Sequence, residues 1–197
     1  MTKPTLHLAS ASPRRREILE SLGLRFTYAG VDVDEKRFDG EAADTMALRL
    51  AIAKAEAAGI AAGNDTVILA ADTVVTLGDA VFGKPVSRQD ALDMLAGLSG
   101  QSHKVVTAVA VLHHGELRTA LSESIVRFRA INPDEAVQYW QSGEPRDKAG
   151  AYAIQGKGGI FVESLSGSYS GVVGLPVFET VRMLGEAGVH VLAATGT

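Results

Sequence analysis

His113-His114-Gly115 lies between two long strand-like runs, Lys104–Leu112 and Leu117–Arg129. A link this short cannot hold the crossover that parallel strands need, so the two runs must pair antiparallel as a hairpin. Upstream the pattern differs, because apolar runs alternate with helix patterns. Leu6–Ala9 reads as a buried strand, and Pro13 to about Leu22 as a helix stopped by Gly23. Phe26–Val33 reads as extended chain, and Asp44 caps an Ala-rich helix that reaches about Ala58 and stops at Gly59. Val67–Leu77 is a second buried strand, rich in β-branched residues. A hairpin joined to βα alternation excludes a purely doubly wound sheet. The expected class is α/β, a mixed twisted sheet flanked by helices.

The later elements carry their own start and stop signals. Ser87 with Asp90 resembles a capping arrangement for a helix through Leu95. Asn132-Pro133-Asp134-Glu135 places cap, proline and capping-box acid in register for a helix that Gly143 ends. Residues 143–176 are rich in glycine and turns, with a strand-like Gly159–Leu165, and a last helix is expected from about Pro176 to Leu184. No internal repeat or linker interrupts the chain. Its 197 residues suffice for one substantial core or two small lobes around a cleft.

Composition narrows the chemistry. Hydrophobic residues make up 46% and charged residues 21%, as in ordinary globular proteins. The formal net charge of −4 argues against a surface built to coat nucleic acid, so any anion site must be local. The absence of cysteine excludes disulfides, thiolate chemistry and Cys-based zinc sites. No apolar run has the length of a signal peptide core or a membrane span, and the expected location is cytoplasmic, with no membrane partner.

One local conflict points to an anion. Ser12 is a good N-cap and Pro13 a good first helical residue, yet Arg14-Arg15-Arg16 follow directly. The first helical turn carries unsatisfied N–H groups and the positive end of the macrodipole, where each exposed cation costs roughly 0.3–1 kcal/mol. A polyphosphate at the helix mouth removes the conflict. Backbone N–H groups, the Ser10 and Ser12 hydroxyls and the guanidiniums of Arg14 and Arg15 would hold it together. Arg16 reads as part of a basic surface patch on the same helix.

Asp72 is the second anomaly, a carboxylate inside the apolar strand Val67–Leu77. Such a group must be paired, hydrogen-bonded or on a metal. At a strand end lining a cleft it could bind a divalent cation or accept a proton from water. Lys84, in Phe82-Gly83-Lys84-Pro85, sits at a turn stiffened by proline and could reach a phosphate. The segment Ser142–Gly156 combines permissive glycines with Asp, Lys and an amide. Gly150–Lys157 is not a P-loop, because the glycine spacing is wrong and Gly158 stands where Ser or Thr is needed. No nucleophile elbow exists, and His113-His114 reads as a solvated hairpin tip.

Six segments occur in order: Ser10-Ala11-Ser12-Pro13-Arg14-Arg15, Ala71-Asp72-Thr73-Val74-Val75, Gly83-Lys84-Pro85, Asp147-Lys148-Ala149-Gly150-Ala151-Tyr152, Ile154-Gln155-Gly156, and Gly167-Ser168-Tyr169 through Gly174-Leu175-Pro176. Together they resemble the Maf family of nucleoside triphosphate pyrophosphatases, from about Leu6 to Leu184. The tail beyond Leu184 carries no motif. The resemblance implies a single two-lobed domain over residues 1–197, with a central cleft and often a homodimer. It also implies an acid-anhydride hydrolase of the nucleotide pool that cuts between the α- and β-phosphates with a divalent cation, Mg²⁺ or Mn²⁺. It assigns the catalytic carboxylate to Asp72, an acidic position near the metal to Glu35, and basic positions near the triphosphate to Arg15, Lys54 and Lys84.

The family divides by base preference, and the resemblance places the deciding residues at Arg14, Thr73 and Gln155. The branch acting on methylated guanine nucleotides tends to have an aromatic at the first position and Glu at the last, so by resemblance Arg14 and Gln155 imply the dTTP/UTP branch; glutamine offers both a donor and an acceptor to a uracil or thymine edge, which agrees. Whether Asp72 acts as base or as metal ligand stays open at this level. Two other readings stay open as well: a purine-directed pyrophosphatase of the inosine/xanthosine triphosphate type, and a nucleotide-binding regulator of septum formation.

Overall fold

The computed structural model describes residues 4–63 and 65–192. Seven strands form one mixed sheet, β1 (Thr5–Ala9), β2 (Phe26–Ala29), β3 (Thr66–Leu77), β4 (Ala80–Phe82), β5 (Ser102–His113), β6 (Glu116–Phe128) and β7 (Val162–Ser166). Among the described residues six α-helices flank it, α1 (Pro13–Ser21), α2 (Ala43–Gly59), α3 (Arg88–Leu98), α4 (Pro133–Gln141), α5 (Tyr169–Val173) and α6 (Val177–Glu186). The strand order is β2-β1-β3-β5-β6-β7, with β4 also on β3. β1 is parallel to β2 and β3, and the remaining pairs are antiparallel.

The hairpin that fixes this class closes as its residues require. His113 pairs with Glu116, leaving His114 and Gly115 as a two-residue turn with φ of 49° and 77°. Positive φ at both positions is the signature of the tight turn whose twist matches the flanking strands. Two of the caps read from sequence form. The Ser87 hydroxyl accepts from the Asp90 N–H, and Asn132 with Glu135 makes a full capping box.

Several boundaries differ, each for a local reason. β2 ends at Ala29 because only Phe26–Ala29 find partners on β1. The N-cap of α2 is Ala42, and Asp44 lies inside the first turn, where its carboxylate accepts from the Thr45 N–H at 2.7 Å. Gly59 is the last helical residue of α2. α3 runs on to Leu98, whose side chain is fully buried. Gly159–Phe161 form 3₁₀ turns and the strand starts only at Val162. The short α5 carried no periodicity long enough to see.

β3 and β5, twelve residues each, and the thirteen-residue β6 run the length of the molecule. Their two ends bury different cores. At one end, Leu8, Leu69, Val109 and Val111 pack on Leu19 of α1 and Met183 and Leu184 of α6. On the opposite face, Ala47, Ala51 and Ala55 of α2 lie against Ile68, Ala70, Ala108 and Ala110. At the other end, Val75, Val105 and Phe128 pack with Leu95, Leu98, Tyr139, Tyr152 and Phe161.

The edge of β3 is open between the two ends. β1 pairs with Thr66–Leu69 and β4 with Val75–Leu77, so, among the described residues, positions 70–74 have a strand neighbour only on the β5 side. The cleft lies at this break.

Candidate active site

Asp72 and Thr73 sit at the break in β3, and the period of two sends their side chains to opposite faces of the sheet. Asp72 shares its face with Ile68 and Ala70, which pack on α2, while Thr73 shares its face with Leu69 and Ala71. The expectation of a strand end is therefore corrected. Asp72 lies mid-strand and reaches the cleft because the strand edge is uncovered there.

On the Asp72 face the partner is Lys54. Buried positions on α2 are Ala47, Leu50, Ala51, Lys54 and Ala55, a stripe at helical spacing, so the lysine belongs to the packed face. Its ammonium donates to Asp72 Oδ1 at 2.7 Å and to Glu35 Oε1 at 2.6 Å. Lys84 approaches Glu35 Oε2 at 3.5 Å from the turn after β4. Burial works to raise the Glu35 carboxyl, but the Lys54 hydrogen bond and the Lys54 and Lys84 charges outweigh it and hold it below the usual range.

Glu35 comes from the loop between β2 and α2, and that loop is tied to α2 a second time. The Arg49 guanidinium donates to both Glu41 oxygens, at 2.6 and 2.8 Å, and to the Lys36 carbonyl at 3.0 Å. This fork fixes the loop that delivers the second carboxylate.

On the Thr73 face stands α1. Ser12 occupies the N-cap but its hydroxyl makes no capping bond; instead its N–H donates to Ser10 Oγ at 3.2 Å. The first turn has no acidic residue, as the arginine run implied. Arg15 donates through Nε to the Gly174 carbonyl at 2.8 Å, through Nη1 to Ser10 Oγ at 3.2 Å and through Nη2 to Thr73 Oγ1 at 3.4 Å. A guanidinium has five N–H groups, so among the described residues part of the fork is left for an anion. Withdrawal from solvent lowers its pKa and the Arg14 charge adds to this, with Asp72 and Glu35 opposing. The Thr73 hydroxyl lies 2.9 Å from Thr107 Oγ1, which donates to the Gly171 carbonyl at 2.7 Å. The Thr73 hydrogen is therefore spent on Thr107, and its oxygen accepts from Arg15.

Arg14 donates to Asp147 Oδ2 at 3.3 Å, and Lys148 pairs with the same carboxylate. Burial works to raise the Asp147 carboxyl, but the Lys148 bond and charge, with Arg14, bring it below its ordinary value. Opposite, Gln155 is exposed on a turn, and among the described residues its side-chain amide makes no hydrogen bond.

Ser10, Ser12, Arg14, Arg15, Glu35, Lys54, Asp72, Thr73, Lys84 and Gln155 all line one cleft of about 680 Å³. That volume is in the range of small-molecule sites. Asp147, Lys148 and Tyr152 line it too, and they were not singled out from the sequence although their segment was. A cationic wall and a pair of lysine-bridged carboxylates in one recess suit a polyphosphate and a hard divalent cation. Among the described residues no group of three or more His, Cys, Asp or Glu side chains gathers to hold a metal. No helix among them is long and apolar enough to cross a membrane.

Comparison with known proteins places the chain in a family. The family described as Maf-like protein matches residues 5–187. The dTTP/UTP pyrophosphatase of Methylococcus capsulatus is 50% identical over 184 residues, 93% of this chain and 91% of that protein. The dTTP/UTP pyrophosphatases of Hahella chejuensis and Burkholderia lata are each 48% identical, over 94% of both chains. The match to the whole sheet, both core ends and the cleft between them makes this chain a member of the Maf family.

Proposed function

We propose that this chain hydrolyses dTTP and UTP to the nucleoside monophosphate and pyrophosphate. The observation that carries the reading is the joining, in one cleft, of the Arg14–Arg15 wall and the carboxylates bridged by Lys54. The near-50% identity to proteins named dTTP/UTP pyrophosphatase supports the choice of substrate.

Arg15, held from behind by Gly174, Ser10 and Thr73, turns its free N–H groups to the phosphates. Ser10, Ser12, Lys84 and Arg14 add donors along the same wall. Water attacks the α-phosphorus in line, and the bond from that phosphorus to the bridging oxygen breaks. Charge grows on the departing pyrophosphate, where the cations neutralise it. Asp72, as base or as metal ligand, orients the attacking water, and Lys54 holds its carboxylate toward the open strand edge.

Glu35 and Asp72 offer hard oxygen donors of the kind that would hold Mg²⁺ or Mn²⁺. Such a cation, when bound, supplies charge neutralisation at the phosphates and a more acidic water. Gln155 reads the uracil or thymine edge with one donor and one acceptor. A homodimer in the cytoplasm belongs to the same proposal, and light scattering that returned the mass of one chain would count against the dimer.

The test is pyrophosphate release from dTTP, UTP, ITP and XTP with and without Mg²⁺. Fast, metal-dependent release from the pyrimidine nucleotides is expected. Preference for ITP or XTP would overturn the substrate, and tight nucleotide binding without release would make the protein a regulator.

A further inference from the structure

Gln155 is carried by the turn Ala153–Gly159, and the residue that shapes this turn lies behind it. Glu144 Oε1 accepts from the Tyr139 hydroxyl at 2.7 Å and from the Gly158 N–H at 3.0 Å. Its Oε2 accepts from the Lys157 N–H at 3.0 Å. The Tyr139 oxygen in turn accepts from the Ala153 N–H at 3.0 Å. Backbone N–H groups on both sides of Gln155 thus end on one carboxylate–phenol pair.

The wrap is close. A Cβ at Gly158 would stand 2.6 Å from the Tyr139 oxygen and 2.8 Å from the Ala153 carbonyl, and one at Gly156 would overlap the Glu144 carboxylate. Tyr139 is only 4% exposed and stacks edge-on against Phe161, so the anchor is rigid. The Glu144 backbone carbonyl also accepts from Lys148, which lines the cleft.

We propose that Glu144 is a positioning residue for nucleobase selection: its carboxylate fixes the turn that presents the Gln155 amide to the base. The inference rests on the reading of Gln155 as the residue that touches the base. All three groups facing the Glu144 oxygens are donors, so only a carboxylate satisfies them together. An amide there turns its NH₂ against a donor, and the turn loosens. Hydrogen-bond readout depends on fixed placement, so the loosening falls on discrimination before it falls on turnover.

The experiment compares kcat/KM for UTP with those for CTP and GTP in the intact protein, Glu144→Gln, Gln155→Ala and the double variant. Gln155→Ala is expected to cut the UTP preference about tenfold. Glu144→Gln is expected to cut it roughly threefold to tenfold, through KM for UTP, with kcat at saturating UTP nearly kept. Added to Gln155→Ala, it changes the preference no further, because the group it positions is gone.

A Gln155→Ala effect with an unchanged preference in Glu144→Gln overturns the inference and leaves the Gln155 reading standing. Equal losses on every nucleotide in Glu144→Gln make the role merely structural and overturn it as well. An unchanged preference in Gln155→Ala removes both. Tyr139→Phe, which frees the Ala153 N–H but keeps the ring, decides the matter if Glu144→Gln does not fold. It should lower the preference in the same direction, and no change in it sinks the inference.

Discussion

The Lys54 ammonium donates to Asp72 Oδ1 over 2.7 Å, with the two side chains only 10% and 12% exposed. The second carboxylate of the cluster, Glu35, is about half exposed. The lysine therefore compensates a charge that the strand interior would otherwise isolate, while the outer carboxylate stays open to ligand. Removing the lysine leaves two carboxylates facing each other without their shared cation.

Lys54→Met should accordingly lower stability by roughly 3 kcal/mol, the lower end of what breaking a buried pair costs. Mg²⁺ should raise the Tm of this variant more than that of the parent, since the cation takes over the neutralising role. Thermal denaturation with and without Mg²⁺ measures both, and equal shifts would speak against metal binding at Glu35 and Asp72.

Asp72→Asn keeps an oxygen for Lys54 and the volume of the side chain. Turnover should fall by roughly 10²–10⁴-fold, the usual worth of a positioned proton acceptor, while Tm moves little. Near-normal pyrophosphate release in the variant would remove Asp72 from the reaction.

Thr107→Val cuts the chain that runs from Arg15 through Thr73 to the Gly171 carbonyl. Thr107 is fully buried, so the loss should be about 1–3 kcal/mol in stability. On the proposed phosphate role of Arg15, KM for the nucleotide should rise alike for every base. A base-selective effect would show that Thr73 contacts the base instead.

Acid stability should depend on His103. It is 1% exposed, its Nε2 lies 2.9 Å from the Tyr152 hydroxyl, and its Nδ1 has no partner among the described residues. Burial pushes its pKa down from 6.5 to about 4. Between these values the unfolded chain takes up a proton that the folded chain refuses, so stability is full above pH 6.5 and falls as pH drops toward 4. The loss is about 3 kcal/mol across that window. His103→Gln, which cannot titrate, should flatten this limb by one proton in denaturant melts taken as a function of pH. An unchanged slope would rule out His103 as its source.

Gln155→Glu replaces the donor–acceptor pair with acceptors only. Hydrolysis of UTP and dTTP should drop selectively in a nucleotide panel. Uniform losses would show that this residue does not read the base.

Much of the cleft was legible because its residues break local rules. Arg14 and Arg15 oppose the helix macrodipole, and Asp72 interrupts an apolar strand; each conflict names its own resolution. Lys54 was visible only through resemblance, since a lysine on an Ala-rich helix is ordinarily solvated. Its register with Ala47, Leu50, Ala51 and Ala55 was the signal available. Glu144 and Thr107 carried no such signal, because a glutamate in a turn and a threonine in a strand are both at home there. The open edge of β3 could not be read at all. It depends on where β1 leaves and β4 joins, which is a matter of pairing between distant segments.

The alternation of Asp72 and Thr73 across β3 ties chemistry to chain length. Inserting or deleting one residue just ahead of Asp72, with the β1 pairing kept, would exchange the two side chains, sending the acid toward Arg15 and the hydroxyl toward Lys54. The paired registers on either side, with β1 and with β4, leave no slack to absorb such a slip. The five-residue window at the open edge, 70–74, is therefore held to a fixed count.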